Sequence, residues 1–227
     1  MPRLPRLVVP DVPYHVTQRG NHRERTFFED GDYALYRDLL GQAARRAGTK
    51  VLCYCLMPNH VHLIVIPADP DGLRRTFADA HRRYSAFINA RQRWTGHLWQ
   101  GRYGAVAMDE AHLMNAARYV SMNPVRANLC SQAQDWRWSS VAAHFAGEDD
   151  DLVEVAPLLD RYGDFRLFLD QPADEGAVRA LRAAEVSGRP VGAANWIEQL
   201  EALSGRSLAP KKRGPKPRGL ELELGIS

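Results

Sequence analysis

His60 and His62 flank a single apolar residue in the run Met57-Pro58-Asn59-His60-Val61-His62-Leu63-Ile64-Val65-Ile66. The run is rich in β-branched residues and reads as a strand, in which alternate side chains point to the same face. Both imidazoles therefore project to one side and Val61 to the other, a geometry suited to a metal that needs two adjacent coordination positions. Further along, Tyr119 and Asn123 lie four residues apart in Arg118-Tyr119-Val120-Ser121-Met122-Asn123-Pro124, hence on one helical face about a turn apart. A phenol hydroxyl beside a carboxamide oxygen can supply a nucleophile and an oxygen ligand to one site. The competing readings are a strand edge that happens to carry histidines, and a core tyrosine followed by an asparagine that ends its helix before proline.

A rival metal set involves Cys53 and Cys55, on the segment that precedes the histidines. If the intervening loop holds an even number of residues, Cys55 faces His62 across a hairpin ladder, and a Cys/His zinc cluster is conceivable. Cys-x-Cys on a strand lacks the turn-forming spacing of structural zinc sites, however, and free cysteines commonly pack as small hydrophobes. Packing is the preferred reading.

The elements that must position these residues follow from periodicity. Strands are expected at 14–18, 51–57, 61–66 and 102–108, and helices at 32–48, 72–93 and 109–122. Asn123-Pro124 closes the last helix, and a tight hairpin joins the second and third strands. This order predicts an α+β, ferredoxin-like split βαβ fold: an antiparallel four-stranded sheet with helices packed on one face. The acidic run Glu148-Asp149-Asp150-Asp151 reads as a linker. It divides the chain into a domain at 1–147, a helical extension at 148–208 and a basic, disordered tail at 209–227. Helices at about 175–186 and 193–203 form either a small packed hairpin, the favoured reading, or a helix-turn-helix reader.

With 227 residues, 45% hydrophobic and 25% charged, the chain can bury a real core. A net charge of +3 and a pI of about 8.8 only hint at an anionic partner. Three cysteines, an odd number without framework spacing, argue against a disulfide-stapled secreted fold. No stretch reaches the roughly 18 apolar residues of a membrane span, and no signal-peptide core opens the chain, so no membrane partner and a cytoplasmic location are expected.

Arginines with interleaved aromatics suggest a groove that tracks phosphates and stacks unpaired bases. The candidates are Arg19, Asn21, His22 and Arg23 after the first strand, and Arg74, Arg75, Arg82 and Arg83 on the second helix. Trp99 and Arg102 lie before the fourth strand, and Arg126 follows the tyrosine helix. Lys211, Lys212 and Arg213 in the tail are expected to act as a sequence-independent phosphate clamp.

Together these segments resemble the single-tyrosine HUH transposases, and within them the REP-associated tyrosine transposases. His60-Val61-His62 matches the family's metal strand, and Tyr119-Val120-Ser121-Met122-Asn123-Pro124-Val125-Arg126-Ala127 its tyrosine helix. Tyr14-His15-Val16-Thr17-Gln18-Arg19-Gly20-Asn21, His97-Leu98-Trp99-Gln100-Gly101-Arg102-Tyr103 and Trp138-Ser139-Ser140 also fit, so the resemblance spans about 8–145. It implies a metal-dependent transposase, with Tyr119 as nucleophile and His60, His62 and Asn123 as ligands of Mg²⁺ or Mn²⁺. Several relatives carry glutamine where Asn123 stands, and asparagine has the shorter reach. The implied substrate is single-stranded DNA beside a hairpin at repetitive palindromic elements, cut and rejoined through a 5′-phosphotyrosine. Some relatives are homodimers that exchange the tyrosine helix, and others complete the site within one chain. The alternatives are a non-catalytic DNA-binding regulator of repeats on the same fold, and an RNA-binding ferredoxin-like module. The latter displays aromatics where this third strand has histidines and aliphatics.

Overall fold

The computed structural model describes residues 6–172 and 174–208. Its first half runs β1 (Tyr14–Arg19), α1 (Asp30–Ala47), β2 (Thr49–Met57), β3 (His60–Pro67), α2 (Gly72–Gln92), β4 (Gly104–Ala107) and α3 (Glu110–Ser121). The strands form one antiparallel sheet in the order β2-β3-β1-β4, the split βαβ topology. Met57 pairs with His60, so Pro58 and Asn59 alone turn the hairpin, and Cys55 stands opposite His62.

One face of the sheet presents Tyr14, Val16, Tyr54, Leu56, Val61, Leu63 and Val65 to Tyr36, Leu39 and Leu40 of α1 and to Leu73, Phe77 and Tyr84 of α2. Glu29 and Asp32 close a capping box at the start of α1, and Gly48 ends the helix in the left-handed conformation at φ 64°. The buried Asp32 carboxylate is held by Arg91 of α2 at 2.6 and 2.8 Å, which ties the two helices together.

Helices were expected on one face only, and the structure covers both. The burial pattern of β2 supplies the reason: every residue from Val51 to Met57 is buried, so both faces of the strand are apolar and each needs a cover. The second face carries Cys53, Cys55, Ile64 and Val106 against α3. α4 (Asn123–Arg126), α5 (Val141–Ala146), α6 (Ala156–Tyr162), α7 (Phe165–Asp170) and α8 (Glu175–Ser187) complete this part of the chain. The cysteines pack there rather than cluster. Cys53 lies 3.7 Å from the Ser121 hydroxyl, Cys55 lies 3.5 Å from the Met57 sulfur, and burial pushes both thiols up, Cys53 to about 11.

The acidic run does not hang free as a linker. Asp150 accepts a hydrogen bond from the Tyr54 hydroxyl at 2.6 Å, and its other oxygen accepts from the backbone of Leu152 and Val153. The C-terminal helices likewise form neither a closed hairpin nor a helix-turn-helix. Val178, Leu181 and Ala184 of α8 join the second layer, while Leu200 of α9 (Ala194–Ser204) joins the first. The two helices straddle the edge of the sheet because the segment between them bonds to β4: Val191 N donates to Ala107 O at 2.9 Å, and Asp109 N to Val191 O at 3.2 Å. An exposed strand edge is a strong attractor for such backbone pairing.

Several histidines are buried, and burial pushes His15 and His81 down to about 3. A folded value below the ordinary 6.5 gives stability that is fully present above 6.5 and is lost as pH falls towards 3. Each such group costs about 2 kcal/mol between pH 7 and pH 5. Urea unfolding at the two pH values should therefore show a clear drop at pH 5, and His81→Gln should flatten the dependence by about one group's share.

Candidate active site

His60, His62 and Ile64 alternate along β3, and Ile64 belongs to the second layer, so the histidine pair faces α3 rather than α1 and α2. The two imidazole centroids are 4.9 Å apart and nearly perpendicular. Tyr119 projects from α3 towards them, its ring edge-on to His62 at 5.6 Å. Both side chains come from one chain. His62 is 2% exposed and Tyr119 6%, and Tyr119 lines an open cleft of about 390 Å³ with Met122, Arg126 and Glu175.

The tautomer of His60 follows from its neighbour. Asn59 Nδ2 donates to Arg23 O at 2.8 Å, which turns Asn59 Oδ1 towards His60 Nδ1 at 2.6 Å. An amide oxygen only accepts, so His60 Nδ1 carries the proton and Nε2 keeps a lone pair for a ligand bond. His60 is pushed down to about 3 by burial and by the Arg19 charge, and His62 is held well below its ordinary value by burial, His15 and His60. Both imidazoles are neutral at pH 7, the form that ligates metal.

Asn123 begins α4, directly beyond the tyrosine helix. Its Nδ2 is buried without a hydrogen-bond partner, so the carboxamide has capacity left for a further group.

Four groups here were not assigned a role from sequence. Asn59 is one. His15 on β1 stacks on His62 at 5.1 Å, with its Nε2 2.9 Å from His62 Nδ1. Arg182 of α8 points Nε at the Tyr119 hydroxyl at 3.5 Å and lies over the ring at 5.2 Å, while Arg126 sits 5.5 Å from the same ring. Glu185, one turn on, stands 3.5 Å from His15 Nδ1. His15 stands between Tyr14 and Val16 on β1, the one visible signal for it in the sequence. Nothing local in α8 marks Arg182 or Glu185.

The expected DNA-contacting residues fall into separate groups. Arg19 pairs with His60 across the ladder, and the exposed His22 and Arg23 follow it. Asn21 and His22 line a surface pocket of about 370 Å³ with Phe28, Trp94 and His97. Arg102 is exposed beside β4. Arg74, Arg75, Arg82 and Arg83 lie on α2, across the sheet from Tyr119, and face Asp71, Asp69 and Asp79 in ion pairs. Lys211, Lys212 and Arg213 lie outside the described residues.

Trp99 is a correction. It is 7% exposed and packs among Tyr36, His81 and Tyr84, so it cannot stack on a base; the exposed tryptophan is Trp94, at 48%. Trp99→Ala should cost about 3–5 kcal/mol in denaturant unfolding, whereas Trp94→Ala should leave stability within about 0.5 kcal/mol.

Comparison with known proteins bears on family and fold. Residues 8–123 match the family described as "Transposase IS200 like". Among solved structures, one described as a REP-associated tyrosine transposase bound to a REP hairpin superposes with a TM-score of 0.56. It shares 18% identity over 66% of this chain and 90% of its own, a likeness of fold. A candidate transposase from Deinococcus radiodurans R1 shares 23% identity over 56% of this chain and 92% of its own, with a TM-score of 0.37. No curated protein gives a significant match. Among the described residues, no helix is long and apolar enough to cross a membrane.

Proposed function

The chain belongs to the IS200-like transposases, and on that premise we propose that it is a metal-dependent single-stranded DNA transesterase that works through a 5′-phosphotyrosine on Tyr119. The observation that carries this reading is the meeting of Tyr119 with His62 and His60 on one sheet face within one chain. A monomer is then sufficient, with the tyrosine acting in cis, and a homodimer is not needed for chemistry.

The donor set fits a divalent ion. His60 has its Nδ1 proton committed to Asn59, which leaves its Nε2 lone pair for a ligand bond. His60 and His62, with Asn123 as third ligand, would hold Mg²⁺ or Mn²⁺, the choice set by availability and by phosphate oxygens that complete the shell. When bound, such an ion supplies Lewis-acid stabilisation of the charge on the phosphoryl and leaving oxygens.

The remaining work falls to the chain. The Tyr119 oxygen attacks phosphorus in line, becomes joined to the 5′ phosphate and releases a 3′ hydroxyl. Arg182, with Nε aimed at the phenol oxygen, places positive charge where negative charge develops. Arg126 adds a second positive charge 5.5 Å from the ring centroid. The phosphotyrosine conserves the bond energy, so a 3′ hydroxyl of another strand can reverse the step without ATP.

Substrate proposals follow from the family and from the neighbour solved with a REP hairpin. The reading here is a hairpin flanked by single-stranded DNA at repetitive palindromic elements, held by Arg19, Asn21, His22, Arg23, Arg102 and Arg126. Residues 1–147 would carry the transposase fold and 148–208 an extension that lends Arg182 to the site; the place of action is cytoplasmic.

A hairpin oligonucleotide with a 3′ fluorophore, incubated with Mg²⁺ or Mn²⁺ and run on a denaturing gel, tests the proposal. An EDTA-sensitive protein–DNA band is the expected result. Tight binding to repeat-derived hairpins with no such band would favour the non-catalytic regulator.

A further inference from the structure

His15, on β1, is fully buried, and nothing so far accounts for it. Its Nε2 lies 2.9 Å from His62 Nδ1, an ordinary hydrogen-bond length. Two imidazole nitrogens at this separation form a hydrogen bond only when one donates and the other accepts. The direction is decided on the far side of His15. There Nδ1 and the Glu185 Oε1 are both buried without a hydrogen bond, and they stand 3.5 Å apart. Two unsatisfied buried polar atoms of complementary kind, facing each other, are costly unless they act as a pair.

We propose that Glu185 and His15 are positioning residues for His62: the Glu185 carboxylate accepts from His15 Nδ1–H, and His15 Nε2 accepts from His62 Nδ1–H. His62 then carries its proton on Nδ1 and keeps the Nε2 lone pair for the ion. Asn59 does the same for His60, so both histidines present the same nitrogen. Metal-bound histidines commonly direct their second nitrogen to such an acceptor, which fixes the ring and raises its basicity. Burial pushes the Glu185 carboxyl up to about 7, while the Arg19 and Arg182 charges pull the other way, towards its ionised, accepting form. The extension thereby completes the metal site from behind, through α8. The inference rests on the reading of His62 as a metal ligand.

The rival arrangement is direct ligation by the same three side chains, whose donor atoms lie within 4.8 Å of one another. Donor spacing does not separate the two, because cis ligands of an octahedral ion at about 2.1 Å stand about 3.0 Å apart; a metal-bound structure does.

Long-range ¹H–¹⁵N spectra of the metal-free, histidine-labelled protein read the tautomers directly. The expected result is Nδ1–H on both His60 and His62, with His62 becoming a mixture of tautomers in Glu185→Ala. Mn²⁺ titration followed by electron paramagnetic resonance should show affinity reduced about 10-fold or more in Glu185→Ala and in His15→Phe. A wild-type His62 that carries its proton on Nε2 overturns the relay. So does unchanged Mn²⁺ affinity in a folded Glu185→Ala, or a metal-bound crystal structure with Glu185 on the ion. Neither solution measurement uses DNA, so failure of the transesterase reading would show separately, as a protein that binds Mn²⁺ through the relay yet forms no adduct.

Discussion

Tyr119→Phe is expected to form no covalent adduct with a hairpin substrate, a loss on the order of 10⁴-fold or more, or at least ~5 kcal/mol of barrier. The fold should survive. The deleted hydroxyl has one long contact, to Arg182 at 3.5 Å, worth no more than about 1 kcal/mol. The aromatic ring that Arg126 and Arg182 flank is retained. Hairpin binding by fluorescence anisotropy should therefore stay near the wild-type value while the gel band disappears. The chain has eight tyrosines, and the structure explains why no other should substitute. Tyr14, Tyr33, Tyr36, Tyr54, Tyr84 and Tyr103 all pack in the layer between the sheet and α1 and α2, on the face away from the histidine pair. Tyr162 is stacked on Phe168, with its hydroxyl buried. An adduct that persists in Tyr119→Phe would sink the assignment.

Replacing either strand histidine by alanine should reduce metal-dependent cleavage by about 10²–10⁴-fold, the several kcal/mol that a Lewis acid contributes to a phosphoryl-transfer transition state. The two substitutions should differ in stability. His60 is only half-buried, and its loss leaves Asn59 free to bond water. His62 is 2% exposed, and its loss strands His15 Nε2 in the interior, so His62→Ala should unfold about 1–3 kcal/mol more easily. Measuring adduct yield against Mn²⁺ concentration, beside thermal melts, separates the two effects. Wild-type cleavage by the double variant at ordinary metal concentration would show that the ion, if needed, is held elsewhere.

Much of this was legible in the chain. The spacing His60-Val61-His62 on a strand of period two determines that both rings share a face; Tyr119 and Asn123 were expected on one helical face, but α3 ends at Ser121 and Asn123 opens α4. Strand and helix order determined the sheet topology; that Cys55 meets His62 hung on the length of the hairpin loop, which the structure sets at two residues, Pro58 and Asn59. These are local properties, written in neighbouring residues. What period cannot carry is which face meets which. An apolar strand such as β2 is compatible with one cover or two, and only packing decided that the second face is covered as well. Trp99 looked like a base-stacking residue because exposure is not encoded by residue type; it is buried because α1 and α2 close over it. The arginines of α2 were read as phosphate contacts, and the structure adds that Asp69, Asp71 and Asp79 pair with them. Arg182 and Glu185 lie far from His15 and Tyr119 along the chain. They reach the site only because the segment after α8 pairs with the edge of β4 and holds the helix against the second face. The sequence by itself determined which histidines share a sheet face. The tertiary structure decided what surrounds them, because burial, tautomer and charge at a site are set by contacts between segments that no local pattern relates.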